Sequence, residues 1–182
     1  MSGTHCPSDD RLREVYALIE RRIEDRWGIP VVTTDVPSPF TGDLDGASIQ
    51  VDFENDLENA LFIVIHLFGH TVQWNSSARA REIGLASKTT WTEAEIAEVV
   101  TYERQACAYS LQLLHDCGVR DLDQWLSDFA ACDGAYLVHL YRTGEKRSFR
   151  SFWRDDQPRI QPEALPAFEP QAWRSRWSGV VV

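Results

Sequence analysis

Leu61-Phe62-Ile63-Val64-Ile65-His66-Leu67-Phe68-Gly69-His70 is the stretch whose reading decides the fold. It predicts an apolar helix carrying two histidines four residues apart. Residues at that spacing lie one turn apart and about 40° around the axis, so both imidazoles leave the same face. Two ring nitrogens so placed can reach one metal ion. Gln73 follows on the same face. It can touch a substrate there or serve as an ordinary surface residue.

Working outward, Asn55 or Asp56 can cap this helix, which should run to about Trp74. Ahead of it, residues 47–53 alternate (Ile49, Val51, Phe53) and predict a strand. Residues 37–46 are read as a loop, from Pro37 to Gly46, and residues 31–34 as a shorter strand after Pro30. The first helix starts at an N-cap, Ser8, with Asp9 and Asp10 in its first turn. Leu12, Val15, Tyr16, Ile19, Ile23 and Trp27 then recur at helical spacing, and Gly28 is a stop.

Downstream, residues 75–87 read as irregular, with room for a turn of helix. Thr92-Glu93-Ala94-Glu95 is a capping box that opens a long helix to about His115, with Gly118 beyond. A helix from Asp121 through Trp125, Leu126 and Phe129 is expected to break at Gly134 before Tyr136 to Tyr141. From Asp155 onward the chain is rich in Pro and Trp with weak periodicity. Trp153, Trp173 and Trp177 are expected to close the domain by packing, with cover over a pocket as the alternative. The expected class is α+β, mostly helical with a small β-sheet, and 182 residues suit a single domain.

Composition limits the function. Eighteen basic against twenty-eight acidic residues leave a net charge of −10, which argues against a nucleic-acid surface. The densest basic run, residues 142–154, reads as a solvated face. Cys6, Cys107, Cys117 and Cys132 form neither a C-x-x-C pair nor a zinc-finger spacing. No apolar signal region follows the polar first residues, and the apolar run at residues 60–65 is too short to span a bilayer. A cytoplasmic protein with free thiols, no membrane partner and a small-molecule or peptide substrate is the expectation.

A catalytic metal site needs a third ligand from a neighbouring element and an open position. Glu103 is the candidate, in the middle of the long helix Tyr102-Glu103-Arg104-Gln105-Ala106-Cys107-Ala108-Tyr109-Ser110. Ala106 and Ser110 beside it are small enough to let two helices approach closely. Cys107, one turn after Glu103, can stand behind the ligands. The alternatives are plain: His66 and His70 as core histidines, Glu103 as a solvated helix residue, Cys107 as a small buried residue. Tyr102 and Tyr109 read as core, and His5 and His115 carry no signal.

Residues 12–115 resemble the ImmA/IrrE-type metallopeptidases, small relatives of the thermolysin-like gluzincins. In that family a strand precedes a helix bearing H-E-L-G-H, and a later helix bears a pattern like E-R-E-A-N-x-F-A-x-x-L-L. His66, Gly69 and His70 match the first motif; Glu103, Arg104, Ala106, Tyr109, Leu113 and Leu114 match the second. The resemblance implies a zincin-like domain that holds one zinc ion through His66, His70 and Glu103; the ligand set also suits Fe(II), so one divalent ion, Zn or Fe(II), is expected. Residues 116–182 have no counterpart in it.

Two positions depart from the family pattern. Leu67 stands where the catalytic glutamate belongs, and Cys107 where an asparagine is expected. Losing a general base typically costs roughly 10²–10⁴-fold in rate, and leucine cannot supply one. Three functions are therefore open. Two histidines and a carboxylate also form the ligand set of non-haem Fe(II) oxygenases, which need open coordination positions and no glutamate base. A zinc hydrolase or lyase can draw its base from elsewhere, with His139, near Tyr136 and Tyr141, as the catalytic candidate: a base, a fourth ligand or an oxyanion donor. A third reading is a catalytically inactive module that binds a partner.

Overall fold

The computed structural model describes residues 7–38 and 40–173. His5, Cys6 and Trp177 lie outside them. Helix α1 (Asp9–Trp27) starts at Ser8, whose side chain accepts from the Arg11 amide, and ends at Gly28 in the left-handed region. Its apolar stripe, Leu12, Val15, Ile19 and Ile23, is buried. Strands β1 (Val31–Thr34), β2 (Gly42–Leu44) and β3 (Ile49–Asp52) form one sheet in the order β1-β3-β2. β1 runs parallel to β3, pairing Val31 with Ile49, and β2 runs antiparallel to it, pairing Leu44 with Ile49.

Helix α2 (Leu57–Ser76) is the centre of the molecule. Asp56 caps it by accepting from the Asn59 amide, and its residues from Leu61 to Trp74 are buried except Ile63. A helix apolar on every side has to be surrounded. The sheet, α1 and α4 (Glu93–Asp116) pack around it. The core cluster runs through all of these and into α5 (Asp123–Thr143). α4 begins with the expected capping box: Thr92 accepts from the Glu95 amide while the Glu95 carboxylate accepts from the Thr92 amide. The class is thus α+β and mostly helical, with a small three-stranded sheet.

Several local expectations are corrected. Strand β2 lies inside the segment read as a loop, where three residues are too few to show alternation. A side chain at Gly42 would collide with Ile63 of α2 and with the Gln50 carbonyl, so glycine lets this strand lie close beneath the helix. The turn of helix allowed within residues 75–87 is a short helix of two turns, α3 (Ala78–Gly84), capped by Ser77. α5 starts at Asp123, not Asp121; the Asp121 carboxylate instead binds the Arg11 guanidinium at 2.8 Å.

α5 also passes through Gly134 unbroken. Glycine inside a helix costs only about 1 kcal/mol, and the packing of α5 on α4 offsets it. The tail carries one 3₁₀ turn (Phe149–Phe152) and then runs extended over the helices. There the Ile160 amide donates to Ser127 Oγ at 3.1 Å, and the Gln171 amide to Asn75 Oδ1 at 2.9 Å. Trp153 packs edge-on against Phe129, and Arg81 lies over the Trp173 ring. No helix of the described residues is long and apolar enough to cross a membrane.

Candidate metal centre

The site depends on how closely α2 and α4 approach. A Cβ at Gly69 would run into the Ala106 carbonyl, so only glycine permits the contact. Ser110 locks it by donating its hydroxyl to the Ile65 and Ala106 carbonyls, both at 2.8 Å. One turn before Ala106 on α4 stands Glu103, opposite His66 and His70. His66 Nε2, His70 Nε2 and Glu103 Oε2 are each 3.0 Å from the other two. All three residues are buried, and together they form a group that can hold a metal ion.

The polar groups behind them bear on the ring tautomers. Gln73 is buried and is not among the residues lining the cavity beside His66; its amide nitrogen donates to the Tyr102 carbonyl and to Gln105 Oε1 at 2.8 and 3.0 Å. With the amide so assigned, Gln73 Oε1 accepts from His70 Nδ1 at 2.9 Å. Neutral His70 then carries its lone pair on Nε2, aimed at His66 and Glu103. Cys107 is buried and its Sγ lies 3.5 Å from His66 Nδ1, so both readings of it hold: a small buried residue that also stands behind a ligand ring. Tyr102 stacks on His70 with ring centres 4.5 Å apart.

Burial opposes ionisation of Glu103, yet His70 and His66 beside it hold its pKa well below the ordinary carboxylate value. Burial likewise opposes charge on His66, but Cys107 and Glu103 outweigh it and hold that pKa well above the ordinary histidine value. Burial pushes the Cys107 thiol up. Two ring nitrogens and a carboxylate oxygen therefore converge in a buried space that needs a cation, proton or metal, to relieve their repulsion. Their mutual 3.0 Å separation suits one ion bound at roughly 2.0–2.2 Å from each. The donor set fits a single divalent metal.

The triad borders open space. His66 and Glu103 line a cavity of about 400 Å³, while His70 sits behind them. Phe62, Leu67, Phe129 and Phe149 form much of its wall, and Asp133 and Tyr136 reach it from α5. Arg150, taken as part of a solvated basic face, reaches this wall, where its guanidinium is held by Glu58 and lies over the Phe129 ring. Asp133 is the residue that sequence reasoning missed. Only its place one turn before Tyr136 and Leu137 could have signalled it.

His139 is not among the residues lining that cavity. It lines a second hollow with Val138 and Ile160 that meets Glu103 and Cys107 from another side. Its ring lies 5.4 Å from Phe152, and its Nε2 is 3.4 Å from Thr143 Oγ1. Tyr109 hydrogen-bonds Glu163 of the tail, and Tyr141 packs on Trp91. Among the described cysteines, Cys107, Cys117 and Cys132 are free.

Fold and site together define a mostly helical α+β protein with a buried His/His/Glu group able to hold a metal. Comparison with family models, curated proteins and solved structures found no match to the chain.

Proposed function

We propose that this protein is a mononuclear metal-dependent enzyme acting on a small molecule, on a scaffold descended from ImmA/IrrE-type metallopeptidases. The observation that carries the proposal is the convergence of His66 Nε2, His70 Nε2 and Glu103 Oε2 at 3.0 Å beside a cavity. Descent is supported by the order of parts: a strand, then the helix with both histidines, then a helix whose glutamate completes the group. A small substrate is supported by the cavity volume, which falls near the lower end of the roughly 300–1,000 Å³ usual for ligand pockets. The β2 edge beside the cavity is three residues long, so it offers few backbone groups to an added peptide strand.

A divalent ion held here, Zn or Fe(II), would act as a Lewis acid, or with iron as an O₂-binding centre. The chain's own residues do the rest. Gln73 orients His70 and fixes its tautomer, as groups behind a ligand usually do. Cys107 steadies His66. Leu67 keeps the cavity floor apolar and excludes water from the position a glutamate would occupy.

A hydrolytic version of the same reading is favoured by one observation. Asp133 shares the cavity wall with His66 and Glu103 and can accept a proton there, in place of the carboxylate missing at Leu67. It is better placed for this than His139, which lines the other hollow.

Elemental analysis of protein purified without oxygen, for wild type and His66→Ala, is the test. About one equivalent of metal in wild type and none in the variant is expected. Iron directs the next assay to O₂ consumption. Zinc directs it to ester and amide hydrolysis, which Asp133→Asn should then abolish with metal retained. Absence of metal from wild type would overturn the enzyme reading and leave a partner-binding module.

A further inference from the structure

The wall beside the triad carries information about what it receives. Phe62 stacks on His66 with centroids 5.1 Å apart and 16° between planes, and on Phe129 at 4.1 Å and 19°. The His66–Phe62–Phe129 column thus continues the ligand ring into an aromatic wall. Phe149 adds a second aromatic layer, its ring 5.6 Å from Phe129, and Leu67 supplies an aliphatic floor next to His66. Polar side chains share the cavity with this wall: Asn55, Asn59, Asp133 and Ser148 also line it. The Arg150 guanidinium in this wall is already engaged by Glu58, so it is poorly placed to draw an anionic group.

We propose that this cavity takes an aromatic or similarly flat apolar small molecule, its body against Phe62, Phe149 and Leu67 and its reacting group toward His66 and Glu103. This rests on the metal reading given above. The exchange of a glutamate for Leu67 then has a positive role: it completes an apolar seat beside the metal ligands, where a carboxylate would hold water. Burying an aryl group against such a wall recovers its hydrophobic transfer energy.

Metal-loaded full-length protein, titrated with acetohydroxamate and phenylacetohydroxamate, tests the proposal. Both probes carry the same metal-chelating group and differ in the aryl body. Phenylacetohydroxamate is expected to bind at least roughly tenfold tighter. Most of that gain should vanish in Leu67→Asn and in Phe149→Ala, with acetohydroxamate affinity nearly unchanged. Phe149 is half-buried on the 3₁₀ turn, so its variant keeps the test valid if the α2 substitution disturbs folding.

An aryl gain below twofold, with acetohydroxamate bound, overturns the aromatic seat and leaves the metal reading intact. A gain that survives both substitutions also overturns it. Protein that carries metal but binds neither hydroxamate has no open coordination side, which overturns this inference together with the enzyme reading. Protein that takes up no metal removes the reading on which the inference rests.

Discussion

Helices α4 and α5 both carry residues that can do chemistry, and the fold treats them differently. α4 lies against α2 at a contact only Gly69 allows, and Ser110 bonds the Ile65 carbonyl across it. Glu103 therefore reaches His66 and His70 within hydrogen-bond distance. α5 packs on α4 and presents Asp133 and Tyr136 to the cavity, while His139, about 60° around the helix from Tyr136, faces the second hollow. Backbone proximity makes a ligand of one residue. Helical phase decides which neighbour faces the site.

The strongest way to break this contrast is at the α2–α4 contact. Gly69→Ala must push the helices apart at Ala106, and overpacking of that kind typically costs about 1–3 kcal/mol. Urea denaturation should show the loss, and metal content should fall with it, because Glu103 moves away from both histidines. A variant as stable as wild type with metal retained would show that the close approach does not position Glu103.

Gln73→Leu sharpens the contrast without moving a helix. It removes the acceptor for His70 Nδ1, and losing a group behind a metal ligand typically weakens metal affinity by roughly 10–100-fold. Competition with a chromophoric chelator measures this. Unchanged affinity would mean the His70 tautomer needs no help from Gln73.

Acidity probes the same cluster in metal-free protein. The pKa of Glu103 is depressed, so its contribution to stability is present above about 4.5 and is lost as pH falls through its lower folded value. That of His66 is raised, so its contribution is complete below about 6.5 and is lost as pH rises through its higher folded value. Metal-free protein should accordingly melt highest between these limits and lose melting temperature on the alkaline side. Metal-loaded protein should lose less there, since the ion replaces the proton. Identical alkaline profiles would count against a metal in the cluster.

The smallest effect is expected at α5. His139→Ala should leave metal content unchanged and alter stability by less than about 0.5 kcal/mol, because its ring lies outside the cavity lined by His66. A collapse of turnover with metal retained would restore His139 as the proton acceptor and displace Asp133.

Much of the site was legible before any coordinates. The i, i+4 spacing puts His66 and His70 on one face by helix geometry alone, and the small residues Ala106 and Ser110 marked the stretch of α4 able to come close. Gln73 was visible on the correct face, but which way its amide points depends on the Tyr102 carbonyl and Gln105, which belong to another helix. Asp133 was missed because nothing local separates an acid in a cavity wall from a solvated one. Strand β2 was missed because its formation depends on pairing with β3 and on the space left at Gly42.

The sequence by itself determined the caps, the helical stripes, the two-histidine face and the α+β class, because these follow from backbone geometry and the periodicity of apolar residues over a few turns. Only the tertiary structure decided that Gln73 serves His70, that Asp133 rather than His139 shares the cavity, and that Gly134 does not end α5. Each of those outcomes depends on groups distant in the chain coming to lie within a few ångströms. Close packing settles such outcomes, and local propensity does not.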